Sequence, residues 1–342
     1  MKSILVTGGA GFIGSNFIQH IYNKYQDYRI VVLDALTYAG NIENIPSDIR
    51  NSGRFEFWYG DLNNLDLVGD LVGNSHIVVH FAAETHVARS LYLNRVFFMT
   101  DVLGTQSIAN AVLKHSDKVE RFIHISTSEV YGTALKEPMD EEHPLKPTTP
   151  YAAAKAGADR LVHSYVESYG IPGVIIRPFN NYGPHQHLEK VLPRFITSAI
   201  LGEPFTIHGD GSASRDWLFV EDTAEAVDRA IHAPLDKVRG EVFNVGTGVS
   251  ISVLDIAKKI SSIFGLEDQR LTFMDERFGQ VQNHISSTEK AEKVLGFKAA
   301  VSFDEGLQRT IRWYKDNRSY WEKQMSMRKV PVKNRAGEIV WY

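Results

Sequence analysis

The chain has 342 residues, of which 43% are hydrophobic, 11% aromatic and 23% charged, the make-up of a globular protein of about two average domains, not of a disordered or fibrous chain. Lys and Arg (37) against Asp and Glu (41) leave a net charge of −4, which excludes the broad positive field that a nucleic-acid backbone requires, so no nucleic-acid partner is expected. Cysteine is absent; disulfides, thiolate metal sites and thiol nucleophiles are excluded, and any redox chemistry must be borne by another group.

The sequence enters a strand pattern directly after Met1-Lys2-Ser3, and no run approaches the 18 or more consecutive apolar residues of a membrane span. The expectation is a cytoplasmic protein without a membrane partner. Ile4 to Thr7 form a short aliphatic and β-branched run, followed by Gly8, Gly11 and Gly14, with Phe12 and Ile13 among them. Phe17, Ile18, Ile21, Tyr22 and Tyr25 then recur at helical spacing, so the glycines stand between a strand and an amphipathic helix. Gly8 permits a tight turn, Gly11 lets the backbone approach a pyrophosphate, and Gly14 lets helix and strand pack closely.

A second apolar run, IVVLD, ends in Asp34, 20 residues after Gly14, where an acid can accept from both ribose hydroxyls and repel a 2′-phosphate. NAD is therefore expected over NADP. Further strand patterns follow at FEFWYGDL, HIVVHFAA and RFIHIST, separated by helix-like stretches, as in a doubly wound parallel α/β sheet. Asp61 and Leu62 close one strand on the cofactor side, and Ala82 and Ala83 keep the next strand end small enough for a dinucleotide.

After RFIHIST comes Ser126-Thr127-Ser128-Glu129-Val130-Tyr131-Gly132, and 20 residues after Tyr131 stands Tyr151, with Lys155 four further on. Residues at i and i+4 share a helix face. An ammonium beside a phenol favours the phenolate, which can take a hydroxyl proton while hydride leaves for a nicotinamide.

The blocks LDALTYAGNIENI, HFAAETHVARS, STSEVYG, PYAAAKAGADRLV, RPFNNYGPHQHLEKVLPRFI and HGDGSASRDWLFVEDTAEAV resemble the extended short-chain dehydrogenase/reductase family. Within it the chain, over residues 1 to about 323, looks like the nucleotide-sugar 4,6-dehydratases of the dTDP-glucose type. The resemblance implies a Rossmann unit over 1–175, a smaller and mainly nucleotide-sugar-binding α/β unit over 176–324, and a homodimer paired through helices near 94–115 and 151–169. It implies that Thr127, Tyr151 and Lys155 act as the dehydrogenase triad, that NAD is the cofactor, and that the substrate is a nucleotide-diphosphate sugar. It places substrate contacts at Glu84, Asn180, Lys190, Leu192, Pro193, Arg215, Asn244 and Arg277, and no metal is assigned.

The resemblance has departures. Where the dTDP-glucose enzymes carry Thr-Asp-Glu, this chain has Thr127-Ser128-Glu129, and serine is a poor general acid near neutral pH. Either Glu129 both takes the proton from carbon 5 and delivers one to the departing 6-hydroxyl, or Ser128 relays it through water. Ser-Glu is also similar to the pair in GDP-mannose 4,6-dehydratases and in UDP-glucuronate decarboxylases, so decarboxylation, 4-epimerisation and an inactive NAD-binding regulator stand as alternatives. Ala88 replaces an Asp, Asp101 an Asn, and GQVQNHI a PGHDRRY-like segment, which leaves nucleotide and sugar open.

Farther along, Ser252 and Asp255 open ISVLDIAKKISSIFG as a capping-box helix. The 18 residues from 325 to 342 lie outside the family match, and the alternation in KVPV and EIVWY suggests a hairpin.

Overall fold

A computed structural model describes residues 1–266, 271–276, 279–333 and 338–341. Six of the seven strands of its main sheet are, in chain order, β1 (Lys2–Thr7), β2 (Tyr28–Asp34), β3 (Phe55–Tyr59), β4 (Ile77–His80), β5 (Arg121–Ile125) and β6 (Gly173–Pro178). The seventh is Val242–Val245, and the order across the sheet is Val242–Val245, β6, β5, β4, β1, β2, β3, all parallel. This is the Rossmann-type doubly wound sheet. Parallel strands covered by helices on both faces read as unbroken apolar runs; accordingly every residue of β4, β5 and β6 is buried.

The strand order reverses between β4 and β2, on either side of β1. A doubly wound sheet opens a crevice at the carboxyl ends of its strands at such a point. The helix Phe12–Lys24 begins there, its N-cap Gly11 contributing no side-chain hydrogen bond. Its early N–H groups thus remain available to an anion.

The helix that carries Tyr151 and Lys155 is set by its ends. Thr149 caps it, its hydroxyl accepting from the Ala152 N–H at 3.2 Å, Pro150 occupies the first turn, and Gly170 closes it at φ +69°. Before it runs the continuous helix Asn94–Lys114, whose middle, Phe98–Leu103, is wound as a π-helix. Its 21 residues are long and apolar enough to cross a membrane by composition alone, but half of the apolar window is buried inside the protein, where it packs on the Tyr151 helix.

A second layer gathers around strands Ser250–Ser252, Ser214–Phe219, Asn283–His284 and Asn180–Tyr182. Its core contains Phe195, Phe205, Trp217, Ile256, Ile260 and Trp321. Ser252 caps the helix expected after it: the Asp255 N–H donates to the Ser252 hydroxyl at 3.0 Å, which donates to the Asp255 carboxylate at 2.7 Å. The C-terminal segment forms the expected hairpin, Pro331–Lys333 antiparallel to Ile339–Trp341. Arg328 anchors it to Glu203, and Val330 packs with Ala88 and Met274.

Candidate active site

One cleft runs across the carboxyl ends of the strands, lined by Gly8, Gly11, Phe12, Ile13, Gly14, Asp34, Asp61, Leu62, Ala82 and Ala83 at one end and by Thr127, Ser128, Glu129, Tyr151 and Lys155 at the other. Glu84, Asn180 and Lys190 line it as well. The glycines are required by space. A Cβ on Gly8, at φ +70°, would stand 2.5 Å from the Ala82 nitrogen, and one on Gly14 would stand 2.4 Å from the Gly8 carbonyl oxygen. Asp34 closes the first turn by accepting from Ala10 N–H at 2.9 Å and Leu36 N–H at 2.8 Å, one bond to each oxygen. Each carboxylate oxygen keeps acceptor capacity toward the cleft. A backbone-lined turn, a helix N-terminus and an acid in this order fit a dinucleotide with unmodified ribose hydroxyls.

At the reacting end, β5 delivers a short 3₁₀ turn, Ser128–Tyr131, whose N-cap is Thr127; the Thr127 hydroxyl accepts from Glu129 N–H at 3.2 Å and is hydrogen-bonded to Tyr151. Tyr151 is buried. Lys155 donates to the Ile125 carbonyl at 2.6 Å.

The expected lowering of Tyr151 by Lys155 is corrected here. Burial raises the Tyr151 phenol, and the carboxylate of Asp101 raises it further, the Thr127 hydrogen bond working the other way. Burial also lowers Lys155, against the attraction of Asp101 and Asp159. Asp101, 1% exposed, accepts from Glu84 N–H at 2.8 Å and is itself raised by burial, with Lys155 opposing. The Asp101 carboxylate thus faces both Tyr151 and Lys155, second to burial in its effect on the phenol.

The residues expected to contact substrate fall into different places. Lys190 reaches the Thr85 carbonyl at 3.1 Å beside the buried Glu189, whose carboxylate accepts from Tyr38 at 3.1 Å and lies 3.1 Å from His86 Nε2. Tyr38 and His187, not singled out from the sequence, share the cleft lining with Glu189. Leu192 and Pro193 lie outside the cleft lining: both are buried on the helix Val191–Leu201, Leu192 in the second-layer core.

Asn244 also lies outside the cleft lining. It is fully buried, donating to the Met139 carbonyl at 3.0 Å and accepting from Tyr131 at 2.7 Å, while its N–H donates to Glu141 at 2.8 Å. Its polar groups are spent inside the protein. Arg215 lies outside the cleft lining, on Ser214–Phe219 opposite His284, with a donor on the Ser214 carbonyl at 2.9 Å. Arg277 lies outside the described residues.

Ala88 receives Val330 of the C-terminal segment in an apolar contact. Among the described residues, His20, Glu225 and Asp228 draw together as a metal site would, but Lys24 already lies 2.9 Å and 2.7 Å from the two carboxylates.

A dinucleotide crevice joined to a Thr, Tyr and Lys centre defines the short-chain dehydrogenase/reductase class. The family model for GDP-mannose 4,6 dehydratase matches residues 5–310, and the chain belongs to that family of nucleotide-sugar dehydratases. It is 41% identical over 311 residues to a low-salt glycan biosynthesis protein of Haloferax volcanii, covering 91% of this chain and 98% of that one. It is 39% identical to a dTDP-glucose 4,6-dehydratase of Streptomyces niveus, covering 93% and 94%. Among solved structures, a Streptomyces venezuelae dTDP-glucose 4,6-dehydratase with NAD bound superposes with a TM-score of 0.89 at 35% identity, over 94% of this chain and 99% of that one.

Proposed function

We propose that the chain is an NAD-dependent nucleotide-sugar 4,6-dehydratase that makes a 4-keto-6-deoxy sugar. The observation that carries this reading is that Thr127, Glu129 and Tyr151 open into the same cleft as Gly8, Gly11 and Asp34. NAD, held by these residues, would supply the hydride acceptor for oxidation at sugar carbon 4 and the hydride donor for reduction at carbon 6.

The chain's own residues do the rest. Asp34 accepts from the adenosine ribose, the Gly11 turn and helix N-terminus face the pyrophosphate, and Lys155 holds the nicotinamide ribose. Tyr151, with its oxygen fixed by Thr127, takes the proton of the sugar 4-hydroxyl. A carbonyl at carbon 4 acidifies the hydrogen on carbon 5, and Glu129 removes it. The 6-hydroxyl then leaves as water once it is protonated. Lys190, in the cleft lining, supplies positive charge for the diphosphate.

Residues 1–175 form the cofactor unit in this reading, 176–324 most of the substrate unit, and 325–342 an extension. Exposed Val96, Phe98, Met99, Leu103 and Tyr169 on the Asn94–Lys114 and Pro150–Tyr169 helices support a homodimer through those helices. The cysteine-free composition supports a cytoplasmic location.

The test is incubation with dTDP-, UDP-, GDP- and CDP-hexoses and product identification by mass. Loss of water from a hexose supports the reading. Loss of carbon dioxide from a uronate, or a change of configuration without change of mass, replaces it by decarboxylation or epimerisation.

A further inference from the structure

Elimination requires a proton for the departing oxygen, and Ser128 stands where the dTDP-glucose enzymes place a carboxylic acid. Ser128 lines the cleft, and its hydroxyl lies 3.4 Å from Nδ1 of His284. His284 comes from the short strand Asn283–His284, 156 residues away in sequence, and is fully buried. Its other ring nitrogen, Nε2, lies 2.6 Å from the Gly132 carbonyl oxygen.

A carbonyl only accepts, so Nε2 carries a proton in both charge states of the ring. Only the Nδ1 edge changes. In the neutral ring Nδ1 accepts the Ser128 hydroxyl hydrogen, which turns Ser128 into an acceptor toward the cleft. In the imidazolium Nδ1–H donates to Ser128, and the Ser128 hydrogen is free to point at a ligand.

We propose that His284 is the proton reservoir behind Ser128, and that the pair takes the place of the missing carboxylic acid in protonating the departing 6-hydroxyl. This deepens the dehydratase reading and rests on it. In the step, the proton on carbon 5 passes to Glu129 and its electron pair becomes the bond between carbons 5 and 6. The carbon 6 to oxygen bond breaks with its pair on oxygen, which takes the Ser128 hydroxyl proton, and Ser128 takes the Nδ1 proton of the imidazolium. Water departs. Glu129 and His284 begin as anion and cation and both end neutral, so the charge of the site is conserved. When hydride returns to carbon 6, Glu129 gives its proton back to carbon 5, and the next turnover begins after Tyr151 has lost the proton it took from the 4-hydroxyl and His284 has regained one.

The surroundings set the pH at which the relay is loaded. Burial lowers His284 below its usual 6.5 and is the largest influence; Glu129 on the 3₁₀ turn and the Gly132 carbonyl favour the imidazolium, while Arg215 on the neighbouring strand and His143 oppose it. The elimination step therefore accelerates as pH falls toward that lowered value. His284 acts through Ser128, which makes it a positioning residue whose signature is kinetic.

The test uses the full chain loaded with NAD and a nucleotide hexose that the wild type dehydrates. Stopped-flow absorbance of reduced cofactor reports oxidation at carbon 4, and mass analysis reports water loss. His284→Asn keeps a donor for Gly132 and removes the titrating ring. It is expected to reduce cofactor at the wild-type rate, to eliminate water at least about 10-fold more slowly, to accumulate reduced cofactor, and to lose the acid-side acceleration. Ser128→Asp placed in the His284→Asn background should recover elimination at least about 10-fold, because the new carboxylic acid supplies the proton directly.

Elimination unchanged in His284→Asn, equal slowing of oxidation and elimination, or no recovery by Ser128→Asp overturns the relay. A wild type that releases water from none of the hexoses overturns the dehydratase reading itself, a result read before any variant is compared.

Discussion

Replacing Asp159 with Asn tests how the reacting helix is fastened to the sheet. Asp159 lies one turn beyond Lys155, and its two oxygens accept from Arg177 Nε and Nη2, each at 2.9 Å. Asp159 is fully buried and the Arg177 side chain is 2% exposed. Arg177 continues to the Tyr131 hydroxyl at 2.8 Å, and Tyr131 to Asn244 at 2.7 Å, so helix, 3₁₀ turn and two strands meet in one network. Burial alone would raise Asp159, but the Arg177 hydrogen bonds and charge outweigh it and hold the carboxyl well below the ordinary range.

Removing one partner leaves a buried guanidinium without its counter-charge, a loss of about 3–5 kcal/mol. With a urea dependence of about 3 kcal/mol per molar, the unfolding midpoint should fall by roughly 1–1.7 M. The assay is urea unfolding at neutral pH, followed by tryptophan fluorescence. Asp159→Asn combined with Arg177→Met should be less destabilised than the single variant, because neither charge is then stranded. A depressed carboxyl adds stability above its unfolded pKa of about 3.9 and loses it as pH falls through the folded value, so wild type and single variant should converge on acidification. A loss below about 1 kcal/mol, or simple additivity in the double variant, would refute the reasoning.

Three further outcomes follow from the cleft. Glu129→Gln should bind NAD normally and yield no dehydrated product; retained turnover removes Glu129 from the mechanism. Asp34→Asn should weaken NAD by about 10- to 100-fold, the worth of a charge-assisted hydrogen bond, and narrow the gap to NADP in titrations of both nucleotides; unchanged affinity would move the ribose contact elsewhere. Asp101→Asn removes a carboxylate that raises Tyr151, so the phenolate forms at lower pH and the rising limb of the cofactor-reduction rate should move to lower pH. A limb that stays in place, or moves up, would contradict that sign.

The sequence made the cofactor half readable because its signals are local. Strand, Gly8, Gly11, Gly14, helix and Asp34 lie within one βαβ unit, and backbone geometry fixes their spacing. Tyr151 and Lys155 share a helix face for the same reason. What the sequence did not disclose arises between distant segments. Asn244 carries the donors and acceptors of a ligand contact, yet Met139, Tyr131 and Glu141 consume them. Lys155 lies four residues from Tyr151, yet Asp101, brought in by a different helix, helps to raise the phenol.

Ala88 reads as a lost polar group until Val330 is seen against it. His284 gave no local signal at all, since its partner Ser128 is reached only when a short parallel strand lays it beside the 3₁₀ turn. The notable replacements relative to the dTDP-glucose pattern, Ser128, Ala88 and Asp101, thus each have a partner from another part of the chain.

The measurement that bears most directly on the account is a single-turnover reaction of the NAD-loaded protein with a nucleotide hexose deuterated at carbon 4, with the product read by mass and by the position of the label. The account predicts loss of water, with deuterium recovered on carbon 6 of the same sugar and no net consumption of NAD. A product that keeps deuterium on carbon 4, or one formed without transient reduction of the cofactor, would contradict it.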